Sequence, residues 1–128
     1  MKITSFNPQI FTKNAGPIVD LFEGLGFDVR HDQAGIGELN VEGIRMKNPD
    51  GFYLDISSPD TDLPRDMVGI RMNVDDFDFA YQLLLKNGFT NVYGDATVDT
   101  ATGRSAVLIS PSGFGINLIQ HKNQNKRG

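Results

Sequence analysis

The chain has 128 residues, no cysteine and a formal net charge of −4. That length suits one ordinary domain that buries a core without disulfides or a structural metal, and the absence of thiols excludes thiolate nucleophiles and cysteine-held zinc or iron–sulfur centres. The acidic balance opposes binding to a phosphate backbone, and no stretch approaches the roughly 18 apolar residues of a membrane span, so neither nucleic acid nor membrane is an expected partner and a cytoplasmic location is expected.

The first extended segment, 2–11, leads into a helix that starts near Asn14 as N-cap, with Pro17 tolerated in the first turn. Ile18, Leu21, Phe22 and Leu25 follow at the spacing of one apolar helix face. Gly26 supplies the positive φ that commonly stops a helix, and Phe27 is placed to pack back on the last turn. Strands are expected at 27–32, 38–47 and 51–57, the last two joined by the turn formers Asn48-Pro49-Asp50-Gly51. Residues 58–66 are polar and carry two prolines, which marks a bridge.

Beyond the bridge, a strand over 67–74 leads to a second helix. Asp75 and Asp76 stand at the positive end of its dipole, and Phe77, Ala80, Tyr81, Leu84 and Leu85 are expected along its buried side. Gly88 ends it, and strands follow at 90–98, 103–110 and 114–121, with Ser110-Pro111-Ser112-Gly113 as the last turn. The tail, 122–128, has no apolar periodicity and is expected to be solvated. Core packing is the default for the phenylalanines, with Phe52 and Phe114 filling equivalent core or interface spaces after their turns.

These elements recur. Gly26-Phe27 and Gly88-Phe89 lie 62 residues apart, as do Pro49-Asp50-Gly51-Phe52 and Pro111-Ser112-Gly113-Phe114, and the same shift sets Leu21 on Leu83 and Leu54 on Ile116. Helix face, helix exit, turn and strand repeat in one register without a gap, which indicates duplication. The expected class is therefore α+β: a single domain, 1–128, of two tandem βαβββ modules, 1–57 and 67–121, joined by a linker at 58–66 and ending in the polar tail 122–128.

Three segments carry a resemblance: Val74-Asp75-Asp76-Phe77-Asp78 entering a helix, Leu25-Gly26-Phe27 leaving one, and Ser110-Pro111-Ser112-Gly113-Phe114-Gly115-Ile116-Asn117-Leu118. The last resembles the D-P-D-G-N-x-I-E-L strand of the vicinal oxygen chelate superfamily, which includes glyoxalase I, extradiol dioxygenases and bleomycin-resistance proteins. The resemblance implies that the two modules form an open, partly closed barrel-like sheet with helices outside. It also implies a homodimer and a cavity that holds a small molecule, often over a divalent metal. Family ligands come from the first and fourth strands of each module, positions matched here by Asn7, Gly69, Asp55 and Asn117. Of these, only Asp55 is an ordinary ligand for zinc, iron or nickel, so no metal and no cofactor is expected.

Side chains of equal parity on those strands share a face, which adds Gln9, Tyr53, Ser57, Arg71, Asn73, Ile119 and His121. Arg71 has three readings: an anchor for an anionic ligand, an internal partner of Asp55, or a solvated side chain. Asn7, Gln9, Tyr53 and Asn117 offer neutral hydrogen bonding, which orients a polar ligand better than it breaks bonds. His31, among Asp28, Arg30 and Asp32, and His121, beside the tail, are expected at the surface or a sheet edge, with base or ligand chemistry as the other reading. The expected ligand set is Asn7, Gln9, Tyr53, Asp55, Arg71, Asn117 and His121, with no catalytic residue assigned.

No nucleophile elbow or phosphate loop appears. The expected function is binding of a small polar or anionic organic molecule without a catalytic metal. The alternatives are a metal-dependent lyase, isomerase or dioxygenase with non-standard ligands, and an interaction module whose cavity is filled by its own side chains.

Overall fold

In the computed structural model, which describes residues 1–36, 41–58 and 65–122, nine strands and two helices follow one another among the described residues. They are β1 (Ile3–Phe11), α1 (Ala15–Gly24), β2 (Asp28–Ile36), β3 (Val41–Lys47), β4 (Tyr53–Ser58), β5 (Met67–Val74), α2 (Phe77–Lys86), β6 (Thr90–Asn91), β7 (Val98–Asp99), β8 (Gly103–Ile109) and β9 (Gly115–His121). The order is β-α-β-β-β given twice, with one short extra strand, so the expected α+β class of tandem βαβββ modules is the one observed.

The chain packs as two compact units, Asn7–Val68 and Met1–Phe6 with Gly69–Gly128. In the first, the strand order is β2-β3-β4-β1, with β1 parallel to β4 and the other neighbours antiparallel. Alternation along β3 and β4 sends Ile44, Met46, Leu54 and Ile56 to one face, where Ala15, Ile18, Val19 and Phe22 of α1 cover them. The second unit has the order β5-β9-β8-β6, with β7 also on β8 and β5 parallel to β9. Its core joins Val74, Phe77 and Ala80 to Ala106, Leu108, Ile116 and Leu118. Lys2 belongs to this unit as well, its backbone nitrogen donating to Asp75 Oδ1 at 2.7 Å.

The 62-residue shift holds at the level of hydrogen bonds. Gln9 pairs with Asp55 in the first unit, and Arg71 pairs with Asn117 in the second. Phe27 N donates to Phe22 O at 2.9 Å, and Phe89 N donates to Leu84 O at 3.0 Å. Asn48 N donates to Phe52 O at 3.0 Å, and Ser110 N donates to Phe114 O at 2.8 Å. Gly26 and Gly88, at φ of +102° and +87°, end the two helices in a conformation that a Cβ disfavours.

Three expectations need correction. The strand expected over 90–98 is two short strands, because Asn91 folds the chain back. Its Nδ2 donates to Ala96 O at 3.0 Å, its Oδ1 accepts from Tyr93 N at 3.0 Å, and Gly94 takes φ +77°. A side chain that mimics a backbone turn has interrupted a run of good strand formers. On α1 the sheet takes Ala15, Ile18, Val19 and Phe22, leaving Leu21 and Leu25 exposed at 55% and 62%; Leu85 of α2 also lies outward. Phe6, Phe52, Phe79 and Phe114 are exposed rather than core, although Phe114 keeps an edge contact with Phe89 at 5.6 Å. Of the expected linker and tail, 59–64 and 123–128 lie outside the described residues, as do 38–40 of the third strand.

Candidate functional site

The face of the first unit's sheet opposite α1 is polar. Along β1, β3 and β4 the positions alternating with the core residues are Asn7 and Gln9, Arg45 and Lys47, and Tyr53, Asp55 and Ser57. Strand register brings them together: Gln9 lies beside Asp55, Arg45 lies across from Asp55, and Lys47 lies across from Tyr53. Asn7, Gln9 and Asp55 are 7%, 3% and 4% exposed, so their polar groups need partners within the protein.

The partners are present. Asn7 Nδ2 donates to Asp55 Oδ2 at 2.6 Å, and Gln9 Nε2 donates to Ser57 Oγ at 2.7 Å. One Arg45 terminal nitrogen donates to Asn7 Oδ1 at 3.2 Å and lies 3.4 Å from Asp55 Oδ2, an ion pair. The guanidinium carbon of Arg45 sits 4.5 Å from the centre of the Tyr53 ring, and Lys47 Nζ sits 5.1 Å from the same centre. Arg45, Asn7 and Asp55 thus form a closed triangle in which each member holds the other two. Arg45 Nε is buried and has no hydrogen-bond partner among the described residues.

The second unit repeats the position but not the chemistry. Arg71 and Asn117 stand side by side on β5 and β9 where the first unit has Gln9 and Asp55, and Arg71 Nε donates to Asn73 Oδ1 at 3.3 Å. Both are half-buried. His121 ends β9 opposite Gly103 and is exposed, as its place beside the tail implied. The backbone of His31 pairs with that of Arg45.

The sequence reading set Asn7, Gln9, Tyr53, Asp55, Arg71 and Asn117 on one shared face; within the first unit Asn7, Gln9, Tyr53 and Asp55 do stand together, and within the second Arg71 stands beside Asn117. It missed Arg45. The signal was available: from the turn at 48–52, counting equal steps back and forward along the hairpin sets Arg45 opposite Asp55, and the flanking Ile44 and Met46 fix its parity.

No known family profile and no curated protein sequence matches the chain. Solved structures do. A methylmalonyl-CoA epimerase from Mycobacterium tuberculosis superposes with a TM-score of 0.66 at 14% identity, covering 98% of this chain and 93% of that one. A glyoxalase/bleomycin resistance protein/dioxygenase superfamily member from Vibrio splendidus 12B01 gives a TM-score of 0.60 at 16% identity, over 93% of this chain and 99% of that one. A variant of the Streptomyces coelicolor methylmalonyl-CoA epimerase, in complex with 2-nitronate-propionyl-CoA, gives 0.64 at 18% identity, over 94% and 99%. The chain has the vicinal oxygen chelate fold.

That fold often carries a divalent metal, and the residues at the matching places do not suit one. Asp55 Oδ2 already faces an amide N–H at 2.6 Å and a guanidinium, so a cation arriving there meets two donors pointed at its ligand atom. Gly69 has no side chain to offer, and Asn7 and Asn117 are neutral amides. Among the described residues no three His, Asp or Glu side chains cluster in a way that holds a metal ion.

Proposed function

We infer that this chain binds a small polar or anionic organic molecule on the polar sheet face around Tyr53, through hydrogen bonds and a guanidinium rather than through a metal. The observation that carries the reading is the Asn7–Asp55–Arg45 triangle with Tyr53 laid over it. Prearranged donors bind without first losing rotamer freedom, and Tyr53, 36% exposed, offers an aromatic surface beside them. The Streptomyces coelicolor structure of the same fold, in complex with 2-nitronate-propionyl-CoA, supports an organic ligand. A cytoplasmic location and a homodimer belong to the same proposal.

A second reading has support of its own. Gln9 with Ser57 and Asn7 with Asp55 satisfy each other, as expected of an interaction module whose polar face is filled by its own side chains. Thermal-shift screening against metabolites and antibiotics separates the two readings. A true ligand at about 100 times its Kd adds roughly 2.7 kcal/mol of apparent stability. A panel without a single shift favours the self-filled module. Stoichiometric zinc, nickel, iron or manganese in purified protein, lost in Asp55→Ala, would instead restore the metal-dependent enzyme.

A further inference from the structure

We propose that Arg45 is the specificity-determining residue of this face and that the group it reads is a carboxylate on the ligand. The proposal rests on the small-molecule reading above and narrows it to a chemical class. Three observations converge on it.

The first is immobilisation. Asn7 Oδ1 and Asp55 Oδ2 hold one terminal nitrogen of Arg45 at 3.2 Å and 3.4 Å, and the Tyr53 ring lies 4.5 Å from the guanidinium carbon. A guanidinium fixed at one corner keeps its Nε–H and its other terminal nitrogen in set directions, where each can give a carboxylate oxygen a charge-assisted hydrogen bond.

The second is an unmet donor. Arg45 Nε has no acceptor among the described residues, and a buried donor left without one is costly. A ligand oxygen that accepts from Nε removes that cost, which a purely structural arginine would be expected to avoid. The side chain as a whole keeps 25% of its surface exposed, and Tyr53, lying over it, is exposed enough to turn and admit an acceptor to the Nε edge.

The third is charge. Arg45 and Lys47 bring two positive charges to the Tyr53 ring, and Asp55 answers one of them. Two cations at one ring favour an anion over a neutral molecule. Asp55 is then no candidate base or metal ligand but the group that positions Arg45.

The test uses matched pairs that differ only in charge: benzoate with benzamide, phenylacetate with phenylacetamide, and hexanoate with hexanamide. Each is titrated calorimetrically into the full chain and into Arg45→Gln and Arg45→Lys. For at least one pair the wild type is expected to bind the acid about tenfold or more tightly than its amide. Arg45→Gln should bring that ratio close to one, and Arg45→Lys, which keeps charge but loses the Nε donor, should leave only part of it. Equal affinity for acid and amide, or a ratio that survives in Arg45→Gln, overturns the carboxylate assignment and leaves the small-molecule reading standing. No binding by any probe, together with an unresponsive metabolite and antibiotic panel, overturns both. Should Arg45→Gln fail to fold, the wild-type ratio and Arg45→Lys decide the question alone.

Discussion

Asp55 is 4% exposed and faces Asn7 and Arg45, so removing the carboxylate strands a guanidinium and an amide together. Breaking a buried pair at one end costs about 3–5 kcal/mol, and the partial exposure of Arg45 lowers the figure here. Asp55→Ala should lose about 2–3 kcal/mol in urea unfolding, and Asp55→Asn, which keeps an acceptor for Arg45, about half of that. Equal losses in the two variants would mean that charge plays no part. At the surface, Asp99 shows the opposite setting. The hydrogen bond from Lys122 Nζ, then its charge and that of Arg104, outweigh slight desolvation and hold the Asp99 carboxyl below its ordinary 3.8. A lowered folded-state pKa means the pair's contribution is present above pH 3.8 and fades as pH falls through the lowered value. NMR titration should place the Asp99 midpoint below 3.8 in the wild type and back towards it in Lys122→Gln. The family resemblance nominated Asn7 and Asp55, and alternation along their strands then added Gln9 and Tyr53, because parity is a local property. Arg45 is a property of pairing, visible only once the hairpin register is counted, and the Asp99–Lys122 bond joins elements whose approach no local pattern encodes.

At the scale of elements, the duplication was legible because the recurring residues are those whose backbone demands are strictest. Glycine at a helix exit and the Pro-x-Gly-Phe turns tolerate few replacements, so they preserve the 62-residue shift where the strands between them have diverged. The 90–98 segment failed for the converse reason: Val92, Tyr93 and Val98 favour a strand, but one side chain, Asn91, supplies turn hydrogen bonds that propensity does not count. The helix caps have diverged as well, since the Asp76 carboxylate accepts from Phe79 N at 3.1 Å while Asn14, its counterpart, makes no side-chain cap bond. Equivalent glycines have likewise come to sit in unequal surroundings. A Cβ at Gly26 meets nothing within 4 Å, whereas one at Gly88 lies 2.9 Å from Pro111 Cγ, and both residues have positive φ. Gly26→Ala should cost about 1 kcal/mol from backbone strain alone, and Gly88→Ala about 2 kcal/mol, because the alanine methyl also presses on a proline ring held in a turn. Urea unfolding of the two variants checks the order, and the reverse order would show that the repeat's second helix exit is the more forgiving.

For the whole molecule, the apolar residues that the helices fail to bury ask for an explanation. Leu21 and Leu25 lie one turn apart on the outer side of α1, and Phe79 and Leu83 lie one turn apart on α2, all four of them exposed. Single exposed leucines are ordinary, but Leu21 and Leu83 hold the same place in the two modules, each with a second exposed apolar residue one turn away, and such a grouping is the pattern of a surface that meets another protein. Each large side chain taken fully from water contributes about 1.5–3 kcal/mol, so a few such residues, used twice across a two-fold axis, supply a useful part of what association requires. The expected homodimer is therefore predicted to use the outer face of α1. Light scattering on eluting protein at tens of micromolar should give about twice the 14.1 kDa of one chain. Leu21→Glu should return it to one chain's mass with its unfolding transition intact, since that side chain contributes little to the core. A wild type that elutes at the mass of a single chain even near 100 micromolar would remove the dimer, and a dimer unmoved by Leu21→Glu would relocate it away from α1.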